Sequence, residues 1–101
     1  MFSLAKFFSN KTDFKKLTSV GAVILDVRTQ GEFKEGHIKG AVNVPLDQLR
    51  NSIVELKNKN KTVITCCRSG ARSAIASNML ANAGINAVNG GSWQSLSKKI
   101  A

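Results

Sequence analysis

The sequence is short of several things at once. Of its 101 residues none is tyrosine, one is proline, one is histidine, two are cysteine, and six are acidic against fifteen lysines and arginines. The longest unbroken apolar run, Ala22 to Leu25, falls far below the roughly 20 residues of a membrane-spanning helix, so no span is expected. The two cysteines, Cys66 and Cys67, are adjacent. Neighbours close almost no loop, which excludes a framework disulfide. With His37 the only histidine, a structural zinc site lacks ligands, and neither metal nor cofactor is expected. The start, Met1 to Phe8, is apolar but interrupted by Lys6. It lacks the basic opening and cleavage site of a secretory signal, so the chain reads as cytoplasmic.

What is present is an ordinary globular composition, 43% hydrophobic and 21% charged, and a length that suits one domain over residues 1–101. The net charge of +9 is uneven: about +3 over residues 1–20, zero over 21–50 and +6 over 51–101. Such a field favours anionic partners, although a solvated lysine-rich surface gives the same balance. The basic residues carry no interleaved aromatics and no nucleic-acid motif, so no nucleic-acid partner is expected.

Short apolar runs alternate with helical periods, the pattern of an α/β fold: a mainly parallel central sheet flanked by helices on both faces. Thr12 or Asp13 is placed to cap a helix carrying Phe14 and Leu17. Strands are expected at Ala22–Val27, Ala41–Val44, Thr62–Cys66 and Ile85–Asn89, with Thr29–Gly31 and Gly90-Gly91 as turns and a short helical piece at Glu32–Glu35. Leu46, Leu49, Ile53 and Leu56 mark one amphipathic helix. Ile75, Met79, Leu80 and Ala83 are read as the inward side of a second, stopped by Gly84. Ser92 is placed to cap a third, bearing Trp93, Leu96 and Ile100.

The informative residue is Cys67, at the carboxyl end of a central strand and before a glycine-containing loop that opens a helix. In open α/β sheets this edge binds ligands. Amides of residues 68–72, the helix N-terminus and the cations Arg68 and Arg72 all favour thiolate over thiol. No general base is required, and His37 reads as a turn and packing residue. Cys66, pointing to the other side of the strand, reads as a small buried hydrophobe. Asp26 and Arg28 read as an ion pair, and Trp93 as a packing anchor. A thiolate in an amide-lined loop suits either attack on a phosphate ester or transfer of sulfur through a persulfide.

Two ordered motifs resemble the rhodanese-like domain family. One is Leu25-Asp26-Val27-Arg28 with Glu32-Phe33, Gly36-His37-Ile38, Gly40-Ala41, Asn43 and Pro45. The other is Cys67-Arg68-Ser69-Gly70-Ala71-Arg72-Ser73, followed by Gly84, Gly90-Gly91 and Trp93. They cover roughly residues 22 to 93. The resemblance implies a single-domain thiosulfate sulfurtransferase with Cys67 as the persulfide-forming nucleophile. Its partners would be a small anionic donor such as thiosulfate and an acceptor such as cyanide, a small thiol or a protein thiol. It implies that the amides of Arg68, Ser69, Gly70, Ala71 and Arg72 hold the persulfide and that Arg68 meets the sulfonate end of the donor. Arg72 either does the same or locks the loop to an acidic neighbour. Phosphatases of this fold carry one residue more between cysteine and arginine than the four found here. The phosphatase and a non-catalytic interaction or sulfur-carrier module stand as alternatives. Cys66 departs from the aromatic or aliphatic residue expected before the nucleophile and leaves a second thiol open.

Overall fold

In a computed structural model, which describes residues 12–101, the apolar runs become the strands of one sheet. The apolar start that bears on secretion lies outside the described residues. Strands β1 (Val23–Asp26), β2 (Val42–Asn43), β3 (Val63–Cys67) and β4 (Ala87–Ser92) lie in the order β2-β1-β3-β4, every pairing parallel. The helices are α1 (Phe14–Ser19), α2 (Gln30–Glu35), α3 (Leu49–Lys59, entered through a 3-10 turn at Leu46–Gln48), α4 (Ala71–Asn82) and α5 (Trp93–Ile100). No helix among the described residues is long and apolar enough to cross a membrane.

Alternation along the two central strands divides the core into two layers. Val23, Leu25, Val27, Val63 and Cys67 face Leu49 and Leu56 of α3 and Ala76 and Leu80 of α4. Ile24, Ile64 and Cys66 face Phe14 of α1 and Leu96 of α5. The expected α/β fold, a parallel sheet covered on both faces, is therefore observed.

Four details differ from the sequence reading. Thr29 is not a turn residue but the N-cap of α2: its hydroxyl accepts from the Glu32 amide while the Glu32 carboxylate accepts from the Thr29 amide. That reciprocal capping box starts a helix where glycine suggests a bend. β3 runs one residue past its expected end at Cys66 and takes in Cys67. Ile75 lies outside, 53% exposed, because Ser73, Ala76, Ser77 and Leu80 form the buried stripe of α4. The Thr65 hydroxyl donates to the Ser73 carbonyl at 2.8 Å, so a polar contact sets the phase of this helix.

Gly90 and Gly91 lie within β4 instead of turning the chain, beside a register irregularity opposite Thr65–Cys67. Gly90 is required by close approach. A Cβ there would sit 2.8 Å from the Thr65 carbonyl oxygen and 2.9 Å from side-chain atoms of both Ile64 and Leu96. Gly90→Ala is expected to destabilise the fold by about 1–3 kcal/mol, as overpacking does, measured as a lower denaturant midpoint. An unchanged midpoint would contradict this packing.

Candidate active site

The site forms where β3 stops against the start of α4. After Cys67 the chain turns through Arg68, Ser69 and Gly70, and Gly70 adopts a left-handed conformation (φ +102°) as the cap residue of α4. The nearest atom to a Cβ at Gly70 would be the Gly91 Cα at 3.4 Å, an ordinary contact. Backbone conformation, rather than a clash, is what glycine serves here.

Two backbone N–H groups and one hydroxyl surround the Cys67 sulfur. The Gly70 amide reaches Sγ at 3.0 Å, the Ser73 amide at 3.4 Å, and the Ser73 hydroxyl lies 3.4 Å away. The Ser69 amide also favours the anionic sulfur. Ser73 is the third residue of α4, so its N–H has no partner within the helix and points back along the axis toward the sulfur. Cys67 itself is 0% exposed. Burial pushes its thiol up, but the Ser73 hydroxyl and the amides of Ser73, Gly70 and Ser69 outweigh that and hold it below the ordinary cysteine value.

Cys66 is the opposite case. It lies in the other core layer, and burial first, then the neighbouring Asp26 carboxylate, push its thiol up to about 12. The sheet separates the two sulfur atoms, so Cys66 cannot meet Cys67 without unwinding β3.

The two arginines of the loop have different surroundings. Arg72 forms a two-point pair with Glu32 of α2, Nη1 to Oε1 at 2.8 Å and Nη2 to Oε2 at 3.0 Å. The Arg72 guanidinium, with help from the Thr29 amide, lowers the Glu32 carboxyl to about 2. Arg68 is exposed and makes no ion pair among the described residues. It borders a cavity of about 240 Å³ together with Glu35, Gly36 and Trp93. A larger hollow of about 550 Å³ lies between the end of α3 and Ile85–Asn86, at the amino ends of the strands and away from the sulfur. Ser69 and Ala71 are exposed on the loop and the first turn of α4.

Behind the loop, Arg28 is 4% and Asp26 0% exposed, and they form the expected ion pair. Arg28 donates to Asp26 through Nε and Nη2 (2.7 Å) and to the carbonyls of Glu32 (3.1 Å) and Gly36 (2.7 Å). The Trp93 ring lies over the guanidinium at 4.8 Å. These bonds use four of the five N–H groups of the guanidinium and tie α2 to the sheet. His37 stays out of the core: it is exposed and stacks on Phe33 at 3.7 Å, with Nδ1 2.7 Å from the Phe33 carbonyl oxygen.

Three residues escape the sequence reading: Ser73, Glu32 and Asn89. The Asn89 amide oxygen accepts from the Ser73 hydroxyl (2.7 Å) and the Gly91 amide (2.9 Å), and its nitrogen donates to the Gly70 carbonyl (3.2 Å). Only the position of Ser73 in the first turn of a helix carries a local signal; the other two act across long sequence separations.

The architecture is that of an α/β fold presenting a cysteine loop at the carboxyl edge of its sheet, the edge where such folds bind ligands. Comparison with known proteins makes the assignment specific: the chain belongs to the rhodanese-like domain family, whose sequence profile matches residues 10–98. It is similar to the thiosulfate sulfurtransferase PspE of Escherichia coli, 33% identical over 61 residues, which are 59% of this chain and 59% of that protein. It is also similar to the putative sulfur carrier protein YrkF of Bacillus subtilis, 37% identical over 65 residues, 64% of this chain and 35% of the relative. The chain thus spans between about a third and three fifths of these curated relatives. Among solved structures it resembles a rhodanese-related protein from Thermoplasma volcanium, 31% identical with a TM-score of 0.71, over 81% of this chain and 82% of that one.

Two outcomes are expected. Ultraviolet titration of the thiolate, with Cys67→Ser as baseline, gives a midpoint below the roughly 8.5 of a free cysteine. The sulfur is then anionic above that midpoint and protonates as pH falls through it; a midpoint at or above 8.5 contradicts the hydrogen-bonded site. Asp26→Asn leaves the buried Arg28 without its counter-charge and lowers stability by about 3–5 kcal/mol in chemical denaturation. A loss below about 1 kcal/mol would show that the pair does not anchor the fold.

Proposed function

We propose that this chain, acting as a single domain, is a thiosulfate sulfurtransferase that carries sulfane sulfur as a persulfide on Cys67. The observation that supports this most is the convergence of the Gly70 and Ser73 donors on a buried sulfur. They stabilise an anion there without a general base. The Cys67 thiolate attacks the outer sulfur of thiosulfate, the donor's S–S bond breaks, and sulfite leaves with the bonding electron pair. The persulfide anion occupies the space beneath the loop, held by amides of the 68–72 segment and of Ser73. A nucleophilic acceptor, cyanide or a thiol, then attacks the terminal sulfur and releases the Cys67 thiolate.

Arg68, without an ion-pair partner among the described residues, is the cation that meets the sulfonate of the donor. Arg72, already held by Glu32, fixes the loop instead. The similarity to both a sulfurtransferase and a putative sulfur carrier supports sulfur as the transferred group and a thiol or protein acceptor. The phosphatase reading is disfavoured by the short spacing between Cys67 and Arg72 and by the commitment of the Arg72 guanidinium.

Mass spectrometry after thiosulfate treatment is expected to show one added sulfur on Cys67. Cys67→Ser loses that adduct and lowers turnover by about three orders of magnitude or more, while Cys66→Ser keeps both. A folded protein that gains no sulfur would overturn the proposal. Hydrolysis of an aryl phosphate that disappears in Cys67→Ser would put the phosphatase in its place.

A further inference from the structure

The Ser73 hydroxyl has one hydrogen and two neighbours that want it. The Asn89 amide oxygen is 2.7 Å away and the Cys67 sulfur 3.4 Å. The orientation of the Asn89 amide is settled by its other contacts: the same oxygen accepts the Gly91 N–H at 2.9 Å, and the nitrogen faces the Gly70 carbonyl at 3.2 Å. The amide oxygen can only accept, so the 2.7 Å contact requires the hydrogen of Ser73. While that bond is made, Ser73 offers the sulfur a lone pair, which suits a protonated thiol donating S–H and disfavours a thiolate. A charge-assisted bond to an anionic sulfur is the stronger of the two uses of the hydrogen.

We propose that Asn89 is a positioning residue that competes with the Cys67 sulfur for the single hydroxyl hydrogen of Ser73, so that the hydroxyl turns from the amide to the sulfur when the sulfur becomes anionic. Asn89 thereby holds the resting thiol back from ionisation, and Ser73 supplies a third donor once the charge has formed. The turn is a rotation about one side-chain bond within a buried residue and needs no movement of the loop. The amides of Gly70 and Ser73 serve the sulfur in either state. The inference rests on the reading that Cys67 works as an anion, and concerns what sets that anion's formation.

The other charges around the sulfur are fixed by partners or by exposure. Arg72 is paired with Glu32 of α2, Arg68 is exposed on the loop, and Asp26 of β1 is paired with Arg28. Cys66 lies across the sheet, and its thiol, pushed up to about 12, stays neutral at working pH. None of these groups contacts the Ser73 hydroxyl, so changes at Asn89 and Ser73 read the contested hydrogen directly.

The test is a double-mutant cycle read by thiolate absorbance against pH on folded protein, with circular dichroism confirming the fold of each variant. Asn89→Leu keeps the bulk but removes the competing acceptor. It is expected to lower the midpoint, raising the thiolate fraction below the midpoint roughly three- to tenfold. Ser73→Ala is expected to raise the midpoint by a similar factor. In the Ser73→Ala background, Asn89→Leu is expected to have no further effect, because no hydrogen remains to contest. If Asn89 merely braces the loop, both single variants raise the midpoint and the Asn89 effect persists without Ser73; either result overturns the inference, as does an unmoved midpoint in Asn89→Leu. Should Asn89→Leu fail to fold, Asn89→Asp replaces it: its carboxylate retains the hydrogen more strongly, so the midpoint rises with Ser73 present and rises less in the Ser73→Ala background. An equal rise in both backgrounds overturns the inference. These readings need no sulfur transfer, so a chain that titrates as expected but forms no persulfide refutes the sulfurtransferase and leaves this inference standing.

Discussion

A sulfur atom with no exposed surface carries negative charge only if the protein supplies the hydrogen bonds that water would have given it. In this chain those bonds come from one junction, where β3 ends directly beneath the first turn of α4. The Gly70 amide at 3.0 Å and the Ser73 amide at 3.4 Å exist because a left-handed glycine turns the chain within three residues. Lengthening or straightening that turn would take the helix N-terminus out of reach of the sulfur. The packing of α4 through Ala76 and Leu80, and the seating of β4 through Gly90, serve to hold the junction at this separation.

A second set of contacts fixes the junction from the side. Asp26 holds Arg28, Arg28 holds the carbonyls of Glu32 and Gly36, and the Glu32 carboxylate holds Arg72 at the start of α4. The chain of contacts runs from the buried carboxyl end of β1 to the half-exposed start of α4. Its inner link is desolvated and costly to break, whereas its outer link is partly open to water and worth little by itself. Energetically, then, Asp26 and Arg28 hold the fold, while Glu32 and Arg72 mainly fix position.

Much of this is legible in the sequence, for physical reasons. Ala22 to Val27 reads as a strand because a two-sided sheet demands apolar residues at successive positions, and Thr62 to Cys66 because it is rich in β-branched residues. The loop reads as a site because cysteine, glycine and two arginines stand together at a strand end. Ile75 is the instructive failure: its apolar side chain suggests burial, but Ser73 and Ser77 take two places of the buried stripe beside Ala76 and Leu80, so the apolar period alone misplaces the inward face. Glu32 and Arg72 are forty residues apart, and Ser73 and Asn89 sixteen. Such pairings depend on strand order, which no local pattern announces. The α2 capping box is different, since Thr29 and Glu32 stand at capping-box spacing in plain sight, obscured only by Gly31.

The placement of Cys66 and Cys67 in opposite core layers has a kinetic consequence. Enzymes with two thiols in reach of one another can clear a loaded cysteine internally, at a rate independent of any second molecule. Here the sheet forbids that route, so under the proposed function sulfur carried at position 67 would leave only on encounter with a separate acceptor. Under that proposal, occupancy of the site would follow the balance of donor and acceptor around the protein.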